Sequence, residues 1–252
     1  MTPTPIEQVQ AAEALGRYGD LATAESLLEA LGGTPHNWVV RLRAAQALVR
    51  LGLHQTAANV LRVLIRECSP KARRTPCRAA VILGDLGCVD EAASILARHC
   101  CTSEAVAALV RFGHTRALRI VATKAPNLWI RREAARALCQ SGDYGYGLAV
   151  LRDLTEHREP AEDHSDFTLR LTAAEVLASF GHDWALRRLA DDVSLGLLRV
   201  FAATALAEQG DVSALKALSE HQEVPVRTSA VGALRWLGKT PRTRTVSGMG
   251  QG

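Results

Sequence analysis

The stretch Ile130-Arg131-Arg132-Glu133-Ala134-Ala135-Arg136-Ala137-Leu138-Cys139-Gln140-Ser141-Gly142-Asp143 decides the fold. Ala134 and Leu138 stand four apart, one turn of a helix, and mark a single buried stripe. Gly142 follows where the helix must stop, because a left-handed backbone is open to glycine and costly for other residues. The paired small residues Ala134-Ala135 let a second helix approach closely, near the low end of the usual spacing of about 8–10 Å.

The same pattern recurs along the chain. Its copies begin at Ala11, Ala44, Ala79, Ala105, Ala134, Ala173, Ala202 and Ala230, each with a leucine four and a glycine eight positions on. Successive starts are separated by 33, 35, 26, 29, 39, 29 and 28 residues, a period that marks stacked helical units. After each glycine but the last, a second helix is expected from a small residue and an aliphatic one four positions on. These pairs are Ala24/Leu28, Ala57/Leu61, Ala92/Leu96, Ala117/Val121, Gly147/Leu151, Ala185/Leu189 and Ala214/Leu218. Neither helix of a pair buries its stripe alone, so neighbours must stack. The expectation is an all-α, right-handed α-solenoid of about eight helical hairpins over residues 1–238. Eight units at that spacing give a curved rod on the order of 70–80 Å long. The remaining residues, 239–252, are expected to form a disordered tail, being rich in Gly, Thr and Arg without periodicity.

An arginine precedes the first alanine by three positions in five copies: Arg41, Arg131, Arg170, Arg199 and Arg227. It lies about 60° from that alanine on the helical wheel, at the edge of the buried stripe. A half-buried arginine must be paired, so these five read as a structural ladder bonding loop carbonyls and neighbouring caps. Asn37, Asn127, Asp166 and Glu223, four positions earlier, are side chains suited to a helix start.

The string Val-Arg-x-x-Ala-Ala-x-Ala-Leu-x-x-x-Gly-Asp resembles the HEAT-like repeats of phycobilisome lyases, which are also common in bacterial scaffold proteins. Residues 130–143 match it closely, and Leu198-Arg199 through Gly210-Asp211 nearly as well. The first, third and fourth copies depart from it, with Gln8, Pro76 and Thr102 in place of the arginine. The resemblance spans residues 6–238. It implies the solenoid fold, with the second helices lining a concave side, and it leaves function open because the architecture hosts many roles.

Composition narrows the function classes. Thirty basic and 26 acidic residues give a mildly basic, mixed surface, short of a dedicated nucleic-acid footprint. No run of 18 apolar residues exists, and Met1–Gln10 lacks the apolar stretch of a signal peptide. A cytoplasmic protein with no membrane partner is expected. Five of six cysteines, Cys68, Cys77, Cys88, Cys100 and Cys101, cluster without a CxxC and read as small buried hydrophobes. No metal and no cofactor are expected. The motifs GxSxG, HExxH and GxGxxG are missing. The span from Gly232 to Thr240 is one residue too long for a phosphate-binding loop. No His-Glu dipeptide occurs, against the repeated pairs of the HEAT-like deoxyhypusine hydroxylases. An enzyme is the less favoured reading.

Candidate partner-binding residues lie where the repeat is least explained by packing. The second helices carry Ser26, Asn59, Ser94, Arg119, Ala149, Arg187 and Lys216 two positions after their small residue, opposite the buried stripe. With Arg62 and Arg152 nearby, they predict a mildly basic groove towards the C-terminal half, partly offset by Asp153, Asp191 and Glu220. Trp38 and Trp129 are expected to wedge between repeats as core, or to act as binding anchors if exposed; Phe167 and Trp184 share that reading. The insertion 156–166, with His157 and His164, reads as an acidic loop, and Lys71-Ala72-Arg73-Arg74 as a basic connector. The leading function is a non-catalytic module gripping a protein partner. The resemblance adds two rivals: a bilin lyase or lyase chaperone, and a DNA-binding solenoid like the HEAT-like alkylpurine glycosylases.

Overall fold

The computed structural model describes residues 3–33, 37–68, 74–99, 102–156 and 164–239. Among these residues the chain is all α, and it divides into two compact units, Met1–Val150 and Leu151–Gly252. The first unit holds α1 (Pro5–Arg17), α2 (Leu21–Gly32), α3 (Trp38–Arg50), α4 (His54–Glu67), α5 (Arg74–Asp85), α6 (Val89–His99), α7 (Ser103–Arg111), α8 (Thr115–Lys124) and α9 (Leu128–Gln140). Helix α10 (Tyr144–Glu156) contains the division between the units. The second unit continues with α11 (His164–Ser179), α12 (Trp184–Asp191), a 3-10 helix (Val193–Leu198), α13 (Arg199–Glu208), α14 (Ser213–Ser219) and α15 (Val224–Lys239). Every expected first and second helix is present. The residues 157–163, 71–73, Cys100, Cys101 and 240–252, on which the acidic loop, the basic connector, part of the cysteine cluster and the tail were read, lie outside the described residues.

The repeated pattern is the packing code. In the copies beginning at Ala44, Ala79, Ala105, Ala134, Ala173 and Ala202 the first small residue and the leucine four positions on are fully buried. The first copy differs: Ala11 and Leu15 are exposed, and among the described residues α1 packs against α2 and α3. Gly19, Gly52, Gly87, Gly113, Gly142, Gly181 and Gly210 all take positive φ and end the first helix of their pair. Gly238 does not. Helix α15 runs through it to Lys239, so the expected stop at 238 is corrected: no second helix follows α15 among the described residues, and no reverse turn is required there.

Caps behave as expected at two of the four positions described above. Asn37 accepts hydrogen bonds from the N–H groups of Val39 and Val40, and Asn127 from that of Trp129. Asp166 is no cap, since α11 begins two residues earlier at His164.

On the first helices, ion pairs link neighbouring repeats. Arg50 of α3 binds Glu13 of α1 through both carboxylate oxygens, at 2.8 and 2.6 Å, while Arg17 adds a third contact at 2.5 Å. Arg111 of α7 meets Asp85 of α5 at 2.5 Å. The Arg50 hydrogen bonds hold the largely buried Glu13 carboxyl below the ordinary carboxylate range. A carboxyl depressed in the folded state contributes stability above its unfolded pKa of about 4.3, and that contribution is lost as pH falls through the folded value. Thermal melts at about pH 6 and about pH 3 are therefore expected to separate wild type from Glu13→Gln at the higher pH and bring them together at the lower. An unchanged gap would contradict the assignment.

Candidate functional site

All seven second helices turn the same register position to solvent. Ser26, Asn59, Ser94, Arg119 and Ala149 are exposed in the first unit, and Arg187 and Lys216 in the second. Opposite them the small residue and its aliphatic partner face the core. Helical periodicity alone produces this column.

Two of the three charged members of the column, Arg119 and Arg187, and Arg62 beside it, are matched by carboxylates at the start of the next second helix. Arg62 of α4 grips Glu91 in the first turn of α6, with Nε at 3.0 Å and Nη2 at 2.9 Å. Arg119 of α8 donates to Asp143, just before α10, at 2.6 Å, and its guanidinium lies 5.2 Å from the Tyr146 ring centre. In the second unit Arg187 of α12 reaches Asp211, ahead of α14, at 2.6 Å and its own Asp183 at 2.7 Å. Arg188 meets Glu156 at 3.1 Å. Each acidic residue near a helix start also faces the positive end of a helix dipole, so one carboxylate serves its own helix and the neighbouring repeat. Asp211 accepts from Ser213 as well, which together with Arg187 lowers its pKa. Of the residues expected to make a basic groove towards the C-terminal half, Lys216 is exposed and Arg152 faces the Trp184 ring, while Arg119 and Arg187 belong to this inter-repeat pairing. Charge counting along one helix missed it, because the partner carboxylates lie 24 to 29 residues away.

The ladder arginines have a different task. Arg41 Nε donates to the carbonyl of Gly32, the last residue of α2, at 2.8 Å, and Nη1 pairs with Glu67 at 2.9 Å. Arg131 donates to Ala125 at the end of α8, Arg170 to Thr155 in the last turn of α10, and Arg199 to Ala190 in the last turn of α12. Arg227 bonds the carbonyl of His221, two residues past α14. All five donate to carbonyls at or just past the end of a second helix, groups the helix itself leaves without partners.

Three of the four tryptophans have an arginine against the ring. Arg41 lies 6.0 Å from the Trp38 ring centre, Arg132 4.9 Å from Trp129, and Arg152 5.4 Å from Trp184. Trp38 is half-buried and Trp129 is 36% exposed, so the latter is the more open face of the two. Phe167 is core. Lys216 is exposed.

Cys77 and Cys139 are buried, and Cys68 and Cys88 half-buried. Burial pushes the Cys68 and Cys139 thiols up, away from the reactive thiolate. Among the described residues no three His, Cys, Asp or Glu side chains gather as metal ligands would. No helix among them is long and apolar enough to cross a membrane.

A family model of HEAT repeats matches residues 2–82, which hold the first two hairpins and most of α5. No curated protein matches the chain. With the same small-residue, leucine and glycine register carried through both units, the chain is a HEAT-like repeat protein, an all-α solenoid of helical hairpins.

Proposed function

We propose that the chain is a non-catalytic scaffold that binds a protein partner along the exposed face of its second helices. One observation carries this reading: each second helix presents the same register position to solvent, and beside it Arg62, Arg119 and Arg187 are already fixed in inter-repeat ion pairs. Ordered side chains lose less entropy when a partner docks, and mixed charge along a repeating face favours a protein surface with its own mixed charge. Duplex DNA asks for a surplus of positive charge instead, and here Arg62, Arg119 and Arg187 are each matched by a carboxylate.

The test places a photo-crosslinking amino acid at Ala149 or Lys216 on second helices, and at Arg43 or Gln46 on the outer side of α3. All four positions are exposed. Crosslinks to one defined protein from the second-helix positions, with little from α3, are the expected result. Crosslinks confined to α3 would move the binding face. Native mass spectrometry showing a stoichiometric small molecule, or salt-dependent retention on duplex DNA, would overturn the scaffold reading.

A further inference from the structure

Between α4 and α6 the second-helix face opens into a groove of about 350 Å³. Arg62, Arg66 and Arg98 surround Ile65 and Ile95, and Glu91 stands at one edge. Arg62 and Arg66 are one helical turn apart on α4, and Ser94 and Arg98 one turn apart on α6, so each pair faces the same way.

The charges do not balance. Glu91 is taken by Arg62. Arg66 and Arg98 are exposed and pair with no carboxylate among the described residues, whereas Arg119 and Arg187 of the solvent-facing column are matched. Each lies in the last turn of its helix, where the dipole tolerates a cation. That accounts for an arginine at each place and leaves two guanidiniums facing one apolar strip.

We propose that this groove docks an acidic segment of a partner protein. Its carboxylates lie between Arg66 and Arg98, and an aliphatic side chain rests on Ile65 and Ile95. Guanidinium groups suit carboxylates because their planar fork bonds two oxygens at once. The isoleucines supply an apolar contact that a polyanion alone does not use. A single-stranded nucleic acid fits less well, since the groove lining has no aromatic ring for base stacking. The proposal rests on the protein-binding reading above and gives it a place and a chemistry.

The experiment is fluorescence anisotropy on the full chain with a fluorescein-labelled dodecapeptide of Glu carrying Leu at every fourth position. Binding is expected, weakening roughly tenfold or more in Arg66→Glu/Arg98→Glu, as loss and reversal of charge contacts would require. Both arginines are exposed, so far-UV circular dichroism of the variant should stay unchanged, with melting lowered only by the small cost of an anion in each last helical turn. A peptide with Lys in place of Glu should in turn gain affinity for that variant. No binding, equal binding by wild type and variant, or equal binding of an all-Glu peptide would overturn the proposal. Equal competition by single-stranded oligonucleotide would overturn it in favour of nucleic acid. If the peptide fails while Ala149 and Lys216 still crosslink a protein, the groove assignment falls and the scaffold reading stands; if those crosslinks also fail, both fall.

Discussion

Gly147→Ala is expected to destabilise the protein by about 2 kcal/mol, while Gly145→Ala, two residues earlier in the same helix, stabilises it by about 0.5–1 kcal/mol. Both substitutions gain helix propensity, since alanine is the better helix former. They differ in what a Cβ would meet. At Gly147 it would stand 2.7 Å from the Ala135 carbonyl oxygen and 3.0 Å from the Cys139 nitrogen, and would also run into the Cys139 sulfur. Two of these are backbone atoms of α9, and they move only if the whole helix moves. At Gly145 a Cβ meets nothing within 4 Å. Urea unfolding followed by circular dichroism reads the difference, and amide exchange should place the loss in α9 and α10. Equal midpoints for the two variants would contradict a close approach at Gly147. At Gly84, by contrast, an added Cβ would meet side-chain atoms only, those of the Phe112 ring.

Arg41→Ala should cost about 3 kcal/mol, against about 1 kcal/mol for Arg227→Ala, the same ladder position in the last repeat. Arg41 is 1% exposed and is the largest fully buried side chain among the described residues, whereas Arg227 is only half-buried. Truncating Arg41 strands the Gly32 carbonyl and leaves a cavity where the guanidinium stem lay. Glu67 softens the loss, because its side chain is 41% exposed and returns to water. Nη2 of Arg41 already lacks a partner, so that much of its burial cost is refunded on truncation. Arg41→Met separates volume from charge: it keeps most of the stem, and should recover part of the loss but not the Gly32 hydrogen bond. Urea midpoints for the three variants, with exchange protection across α2 and α3, make the comparison. Arg41→Ala within about 0.5 kcal/mol of wild type would show that the ladder is decorative.

The fold was legible because its code is short-range. Ala134, Leu138 and Gly142 lie within nine residues, and the helix period converts that spacing directly into burial and a turn. The ladder was legible for the same reason, since Arg131 and Ala134 sit one turn apart on one helix. The surface lattice was not. Arg119 reads as a free cation until the fold brings Asp143 beside it, and the pairing crosses from one second helix to the next. Arg66 and Arg98 escaped notice for the opposite reason. They stand outside the register column, and only the fold's placement of α4 and α6 on two sides of one groove brings them together. Asp166 misled because a cap-type residue is equally at home in a first helical turn.

The ladder also bears on how such a chain grows. The donor always belongs to the later hairpin and the acceptor to the end of the earlier one, as in Arg131 to Ala125 and Arg199 to Ala190. A tandem gene duplication that inserts one hairpin therefore brings its own clamp and leaves a fresh carbonyl for whatever follows. No compensating substitution is needed on either side of the junction. Helix α1 has no hairpin before it among the described residues, and there Gln8 stands in the clamp position and reaches back only to Pro3. Built this way, the array lengthens or shortens by whole repeats more readily than it tolerates a change inside one.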